Sequence, residues 1–254
     1  MKIASWNVNS LRVRLPHVLD WLDTHRPDVL GLQELKIPTE AFPADEIAEL
    51  GYRSVAYGQK TYNGVALLSL QEPVNVTTGL PGFPDEQRRV IAADYDDVRV
   101  INLYVPNGQT VGADKYIYKL AWLDALLNWL SKELTVNPNI VVIGDFNIAP
   151  ADSDVYDPDE WRGKILCSDD ERARLQAIES IGFSDSFRLF DQPDSTFSWW
   201  DYRASSFRRK RGLRIDLVLA SEAMAGRCTA SGIDPEPRKL ERPSDHAPVF
   251  SIFN

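Results

Sequence analysis

Residues 90–108 read VIAADYDDVRVINLYVPNG. Two apolar runs, Val90–Tyr95 and Val98–Val105, are separated only by Asp96 and Asp97. Strands this close in sequence can pair only antiparallel, because a parallel pair needs a crossover of a dozen or so residues. Upstream, Arg53–Tyr57 and Val65–Ser69 continue the pattern with only turns between runs. Further runs at Ile3–Val8, Asp28–Gln33, Asn139–Gly144, Leu213–Ala220 and Val249–Phe253 alternate with helical periodicity. The helices are expected at Pro16–His25 (Val18, Leu19 and Leu22 on one face), Ala44–Leu50, Asp114–Leu134 and Asp169–Ile181. The third has Leu120, Leu123, Leu127 and Leu130 on one stripe; the last starts acidic and ends at Gly182, both proper end signals. Strands that mix with helices without strict alternation predict one α/β (α+β) domain over 1–254, with sheet in the middle and helices outside. Ile148–Ser168 lacks periodicity and carries Asp152, Asp154, Asp157, Asp159 and Glu160, so it reads as a long loop, functional or mobile.

Composition narrows the class. The 254 residues hold 28 Lys plus Arg against 37 Asp plus Glu, a net charge of −9, with 44% hydrophobic residues. That excludes a disordered chain and a disulfide scaffold. Cys167 and Cys228 are far apart and read as reduced thiols. The opening MKIASWNVNSLRVRL has no apolar signal region, and no run approaches the roughly 20 residues that span a bilayer. A soluble cytoplasmic protein that does not engage membranes is expected. No GxxxxGK[ST], GxGxxG or GxSxG is present. The acidity speaks against nucleic acid unless basic residues are concentrated locally.

Polar residues stand where the apolar runs end. Asn7 follows the first, Gln33 and Glu34 the second, Tyr104 closes VRVINLY, and Asp145 and Asn147 follow IVVIG. Asp216 interrupts RIDLVLA, and Asp245 and His246 precede the last run. Strand ends can gather hard oxygen donors, amides, a phenol and an imidazole in one cleft. Such a set suits metal-assisted phosphoester hydrolysis, in which Mg²⁺ needs few carboxylates and keeps several waters. His17 and His25 read as structural.

KIASWNVN, LQELK, NLYVPNG, GDFNIAP, FSWWDYR, GLRIDLVLAS and PSDHAPV occur in this order. Together they resemble the exonuclease III family of DNA-repair nucleases, within the DNase I-like endonuclease/exonuclease/phosphatase superfamily. The resemblance implies a four-layer α/β sandwich of two packed, mostly antiparallel sheets flanked by helices, and a cofactor of Mg²⁺ or Mn²⁺. It implies Glu34 as main metal ligand, with Asn7 and Asp245 beside the metal. It implies that Asp145 activates or aligns the attacking water, and that Asn147 positions nucleophile or phosphate; both also stand near the metal. Tyr104 and His246 are implied at the phosphate and Asp216 as the carboxylate that orients its neighbours. Asp145 is the first candidate for the proton acceptor, with His246 and Tyr104 behind it.

The substrate is read from the segment Arg203–Arg214, which holds Arg203, Arg208, Arg209, Lys210, Arg211 and Arg214 and no acidic residue. Phe197, Trp199, Trp200, Tyr202 and Phe207 interleave or precede it. Basic groups track phosphates while aromatic faces meet bases. The resemblance places Trp199 and Leu213 in a pocket for a base-free sugar, with Trp200 at its third apolar position. Arg88 and Arg89 form a second phosphate-contacting pair. The expected partner is double-stranded DNA with abasic or 3′-blocked lesions, met by a monomer. The activities implied are incision 5′ to abasic sites, removal of 3′-blocking groups and 3′→5′ exonuclease action. The loops Thr61–Asn63, Gly108–Ala113 and Ile148–Ser168 would encode their balance. The rivals are a specialist for 3′ ends, a non-DNA phosphodiesterase of the same superfamily, and an inactive DNA-binding module.

Overall fold

The computed structural model describes residues 1–254. Twelve strands form: β1 Lys2–Asn7, β2 Val29–Gln33, β3 Arg53–Tyr57, β4 Val65–Ser69, β5 Val74–Thr78, β6 Val90–Tyr95, β7 Val98–Tyr104, β8 Ile140–Asp145, β9 Phe183–Asp185, β10 Asp216–Ser221, β11 Cys228–Ile233 and β12 Val249–Phe253. The α-helices are α1 Leu11–His25, α2 Ala44–Ala48, α3 Asp114–Val136, α4 Pro158–Trp161, α5 Asp169–Ser180 and α6 Glu222–Ala225. None is long and apolar enough to cross a membrane.

The strands make two six-stranded sheets, ordered β11-β12-β1-β2-β4-β3 and β5-β6-β7-β8-β10-β9. Pairing is antiparallel except at one central pair in each sheet, β1 with β2 and β7 with β8. Those pairs are the ones joined by helical crossovers, α1 and α3, as parallel pairing requires. Three apolar layers follow. Ile3, Ile91, Val100 and Ile143 meet between the sheets. Trp6, Trp21 and Leu30 join the first sheet to α1, and Ile101, Trp122 and Leu175 join the second to α3 and α5. The result is the four-layer α/β sandwich. β8 is buried at all six positions because both its faces are covered, hence its unbroken IVVIG.

Several boundaries move from the expectation. Helix α1 begins at Leu11 with Pro16 inside it. The exposed edge strand β5 and the half-buried β11 lack a strong apolar pattern and escape periodicity. Residues 213–215 precede β10 rather than belonging to it, so Asp216 is the first residue of its strand and not an interruption. On α3 the fully buried stripe includes Tyr116, Lys119, Leu123, Leu126 and Leu130, whereas Leu120 and Leu127 are only half-buried.

The sheets are also joined by polar groups. Gln33 Nε2 donates to Ser5 Oγ (2.9 Å) and Asn102 Oδ1 (2.6 Å), and Asn102 Nδ2 donates to the Leu32 and Ala66 carbonyls (3.0 and 2.9 Å). At the end of β8, Gly144 has φ +148°, and a Cβ there would lie 2.0 Å from the Leu103 carbonyl oxygen. Gly144→Ala is therefore expected to force β7 and β8 apart. Thermal unfolding is the check, with an expected drop on the order of 10 °C or more.

Candidate active site

The ends of the central strands bring the functional side chains together. Asn7, Gln33, Tyr104 and Asp145 close β1, β2, β7 and β8, and Asp216 opens β10. Register places Tyr104 opposite Asp145 and Asp145 opposite Asp216. Across the sandwich, Asn7 Nδ2 donates to both Glu34 Oε1 and Asp145 Oδ2, each at 2.9 Å. Backbone strain marks the spot: Glu34 and Asn147 both adopt left-handed φ, +53° and +49°.

Asp145 is buried yet well supplied with donors. Its oxygens accept from the Asn147 backbone N–H (2.9 Å) and from Asn147 Nδ2 (3.3 Å), besides Asn7. Burial pushes its carboxyl up to about 7, with Asp216 adding to the rise and His246, Asn7 and Asn147 opposing it. His246 Nδ1 lies 2.9 Å from Asp216 Oδ2, which leaves Nε2 facing Asp145 Oδ2 at 3.8 Å. Burial disfavours the imidazolium, but Asp216, Asp145 and Asp245 outweigh it and hold the ring charged well above the usual histidine range. The half-buried Tyr104 phenol, next to Glu34 and Asp145, is pushed the same way by desolvation and by those carboxylates, and remains a donor.

Ligand atoms of Glu34, Asp145 and His246 all lie within 4.8 Å of one another. Two carboxylates this close suit a hard cation that keeps part of its water shell. Asn7 and Asp245 are held in place around this group by hydrogen bonds. Asn7 turns its amide NH₂ to the carboxylates while its oxygen accepts from Asn9 N (2.9 Å). Both Asp245 oxygens are engaged, by Asn9 Nδ2 (2.9 Å) and Trp199 Nε1 (3.0 Å). Asn147 points its oxygen at Asn107 Nδ2 (3.0 Å). Glu34 and Asp145, with His246 alongside, are the residues here that could hold a cation.

A pH-dependent stability follows. Asp145 has a folded pKa near 7 against about 4 unfolded, so the folded state holds its proton more tightly. Metal-free stability from this group therefore falls as pH rises from about 4 to 7. The raised His246 adds in the same sense: its contribution is full below about 6.5 and is lost as pH climbs through the folded value. A cation favours the ionised carboxylate. The increase in Tm on adding Mg²⁺ should be larger at pH 8 than at pH 5.5, and an equal increase at both would contradict this.

Beside Tyr104 opens a polar cavity of 1030 Å³, whose lining includes Gln59, Tyr62, Gln87, Arg89, Asn107 and Arg203. Arg89 stacks on the Tyr104 ring (4.8 Å) and faces this cavity. Arg88 does not line it: its Nη1 donates to the Gly58 carbonyl (2.6 Å) and the guanidinium covers Tyr57. Arg208, Arg209, Lys210 and Arg211 are exposed, whereas Arg214 is buried against Asp154 (2.6 Å) and Asp185 (2.7 Å) and is structural. Asp154 also pins the Ile148–Ser168 segment, which contains α4 and is packed through Ala149, Val155 and Leu166.

Trp200 is not the third apolar position beside Trp199. It packs with Phe197 and Ala247 in a separate cluster and meets the Phe207 ring at 5.0 Å. Trp199 instead packs with Leu213 and Ile215, whose i, i+2 spacing in extended chain puts them on one side. Trp199 is half-buried, while Leu213 and Ile215 are 0% and 1% exposed. Sequence reasoning also missed Asn9, Lys36, Asn107, Ser198 and Ser244. Lys36 Nζ sits 2.8 Å from Glu34 Oε2. Ser198 Oγ accepts from the Ile215 and Asp216 N–H groups (both 3.0 Å), and Ser244 Oγ donates to the Asn7 carbonyl (2.7 Å). Only their positions inside FSWW and PSDH could have signalled the two serines.

The sequence pattern of the endonuclease/exonuclease/phosphatase family matches residues 4–246. Over 267 aligned residues, covering all of both chains, the sequence is 41% identical to exodeoxyribonuclease III of Haemophilus influenzae. Among solved structures, the 3′ phosphatase NExo from Neisseria, bound to a product DNA hairpin, superposes with a TM-score of 0.98 at 49% identity, covering 100% of this chain and 99% of that one. An AP endonuclease from Archaeoglobus fulgidus follows at 0.96 and 38%, with the same coverage. The strand-end cluster and these full-length likenesses agree that the chain belongs to the endonuclease/exonuclease/phosphatase family, in its exonuclease III branch of DNA-repair nucleases.

Proposed function

We propose that the protein is a metal-dependent phosphoesterase on double-stranded DNA that clears 3′ ends, removing 3′-phosphates and other blocking groups and digesting 3′→5′. The carrying observation is the group Glu34, Asp145 and His246 at the edge of an open polar cavity shared by Tyr104, Asn107 and Arg89. A terminal phosphate needs donors and cations around it and no sequestered sugar pocket. The apolar set Trp199, Leu213 and Ile215 supports a second reading, incision 5′ to abasic sites, in which a base-free sugar would meet the indole. The exposed cationic segment from Arg203 to Arg211, which reaches the cavity at Arg203, favours DNA over an inositol phosphate or a lipid headgroup. The same reading makes the chain a single-domain cytoplasmic monomer, in keeping with its match along its whole length to a bacterial exodeoxyribonuclease III.

Glu34 and Asp145 would hold Mg²⁺ or Mn²⁺, which when bound neutralises phosphate charge and stabilises the departing oxygen. The protein's own groups do the rest. Charged His246, with Asp216 fixing Nδ1, offers Nε2–H to a phosphoryl oxygen, and the Tyr104 phenol offers a second donor. Asn147 and Asn107, linked at 3.0 Å, align the phosphate from the other side. Asp145, held by Asn7 and Asn147, takes the proton of the attacking water as the new P–O bond forms and the bond to the 3′ oxygen breaks.

Two duplexes separate the readings: one nicked with a 3′-phosphate, one carrying a tetrahydrofuran abasic analogue. Faster turnover of the nicked duplex supports the first reading, and faster incision of the abasic duplex supports the second. For DNA contact, replacing Arg208, Arg209, Lys210 and Arg211 together by alanine should flatten log Kobs against log salt by about 2 to 4. An unchanged slope would remove this segment from the interface. The parent slope should itself be modest, because the net charge of −9 discourages contact outside the cleft.

A further inference from the structure

Lys119 is fully buried on α3, on the stripe where a leucine would satisfy the helix. Burying an ammonium is costly unless every donor is met. Here all three are met. One goes to Glu171, also fully buried. The second goes to the Asn147 carbonyl (2.7 Å) and the third to the Asn107 carbonyl (3.2 Å). Glu171 is anchored in turn at the start of α5, accepting from Leu166 N, Ser168 N (both 3.1 Å) and Ser168 Oγ (2.6 Å). Tyr116, one turn before Lys119, closes the circuit by hydrogen-bonding Ser168 Oγ at 2.7 Å.

The two carbonyls belong to the two residues whose side-chain amides meet at the site. Asn107 Nδ2 donates to Asn147 Oδ1, and Asn147 Nδ2 reaches Asp145 and the Val105 carbonyl. Asn147 holds a left-handed φ of +49°, a conformation that persists only if its surroundings fix it. Lys119 grips these backbones from below, while the amides act above.

We infer that the buried Lys119–Glu171 pair is a positioning device for the reaction, clamping the Asn107 and Asn147 backbones so that their amides are set for the phosphate. A merely structural pair predicts that removing both charges together costs little function, because buried ion pairs can be replaced by uncharged groups without loss of stability. The clamp predicts that function is lost while the fold is kept. The inference rests on the assignment of Asn147 to the phosphate, so Asn147→Ala is run beside it.

The test measures Tm, kcat and KM on the 3′-phosphate nicked duplex for Lys119→Met/Glu171→Gln. The glutamine still accepts a hydrogen bond at the start of α5. A Tm within a few degrees of the parent is expected, with kcat down on the order of 10²-fold and KM nearly unchanged, the scale that about 1 Å of misplacement produces. Lys119→Arg, which keeps the charge opposite Glu171 but alters the reach to the carbonyls, should lose kcat about 10-fold. It also decides the matter if the double variant does not fold. A kcat within twofold of the parent in either folded variant overturns the clamp when Asn147→Ala is inactive. An active Asn147→Ala overturns the site assignment instead.

Discussion

Asp145→Asn should lower kcat about a thousandfold while the protein stays folded. The residue is the meeting point of both sheets: β8 delivers it, Asn7 reaches it from β1, and His246 faces it from the loop before β12. An asparagine cannot accept the proton of the attacking water, and it weakens the hold on a cation. It also turns an NH₂ toward the Asn7 or Asn147 amide, where the parent offers an acceptor to both. The variant has a second signature. The parent's buried carboxyl makes the metal-free fold less stable as pH rises from about 4 to 7; the amide does not titrate. The metal-free Tm of the variant, relative to the parent, should therefore climb between pH 5 and pH 8. Near-normal kcat would remove Asp145 from the chemistry, and a pH-independent difference in Tm would remove the perturbed carboxyl.

His246→Gln should lower kcat by about a hundredfold or more and also destabilise the protein. The imidazolium is the cation between two buried carboxylates, with Asp216 at Nδ1 and Asp145 at Nε2. Glutamine keeps one donor but removes the charge. Breaking a buried pair by removing one partner costs about 3–5 kcal/mol, because the remaining charge is left uncompensated. Here a bound divalent cation can replace part of that charge at Asp145 but not at Asp216. Mg²⁺ should therefore recover only part of the lost Tm. Adding Asp216→Asn to His246→Gln should recover more, since it removes the stranded carboxylate. If the single variant matches the parent in both kcat and Tm, the histidine is a bystander.

Much of this site was legible because its residues sit where apolar runs stop. Asn7, Glu34, Tyr104, Asp145, Asn147, Asp216, Asp245 and His246 all converge, and strand ends are the places a reader can locate from periodicity alone. The mix of strands and helices foretold one domain with sheet in the middle and helices outside, and the family resemblance implied the four-layer sandwich. What stayed hidden depends on contacts distant in sequence. The parallel pairs β1–β2 and β7–β8 are a matter of strand order, which local patterns do not encode. Nothing in the local sequence singles out Lys119, and only the fold shows its ammonium beneath two loops. Arg214 looked like one more member of a basic run, until Asp154 and Asp185 were found to enclose it. Trp199 and Trp200 read as neighbours in one pocket, yet they pack in different clusters.

The same cluster explains how an acidic chain can work on DNA. Glu34, Asp145, Asp216 and Asp245 contribute negative charge where a cation can offset it, while Arg203 lines the cavity and Arg208 to Arg211 add exposed positive charge in the same segment. The most direct measurement is release of inorganic phosphate from a 3′-phosphate nicked duplex with Mg²⁺, with EDTA, and with EDTA followed by excess Mg²⁺. Phosphate release that stops with EDTA and returns with Mg²⁺ is the predicted result. Release that persists undiminished in EDTA would contradict the assignment of Glu34 and Asp145 as the cation site of a DNA phosphoesterase.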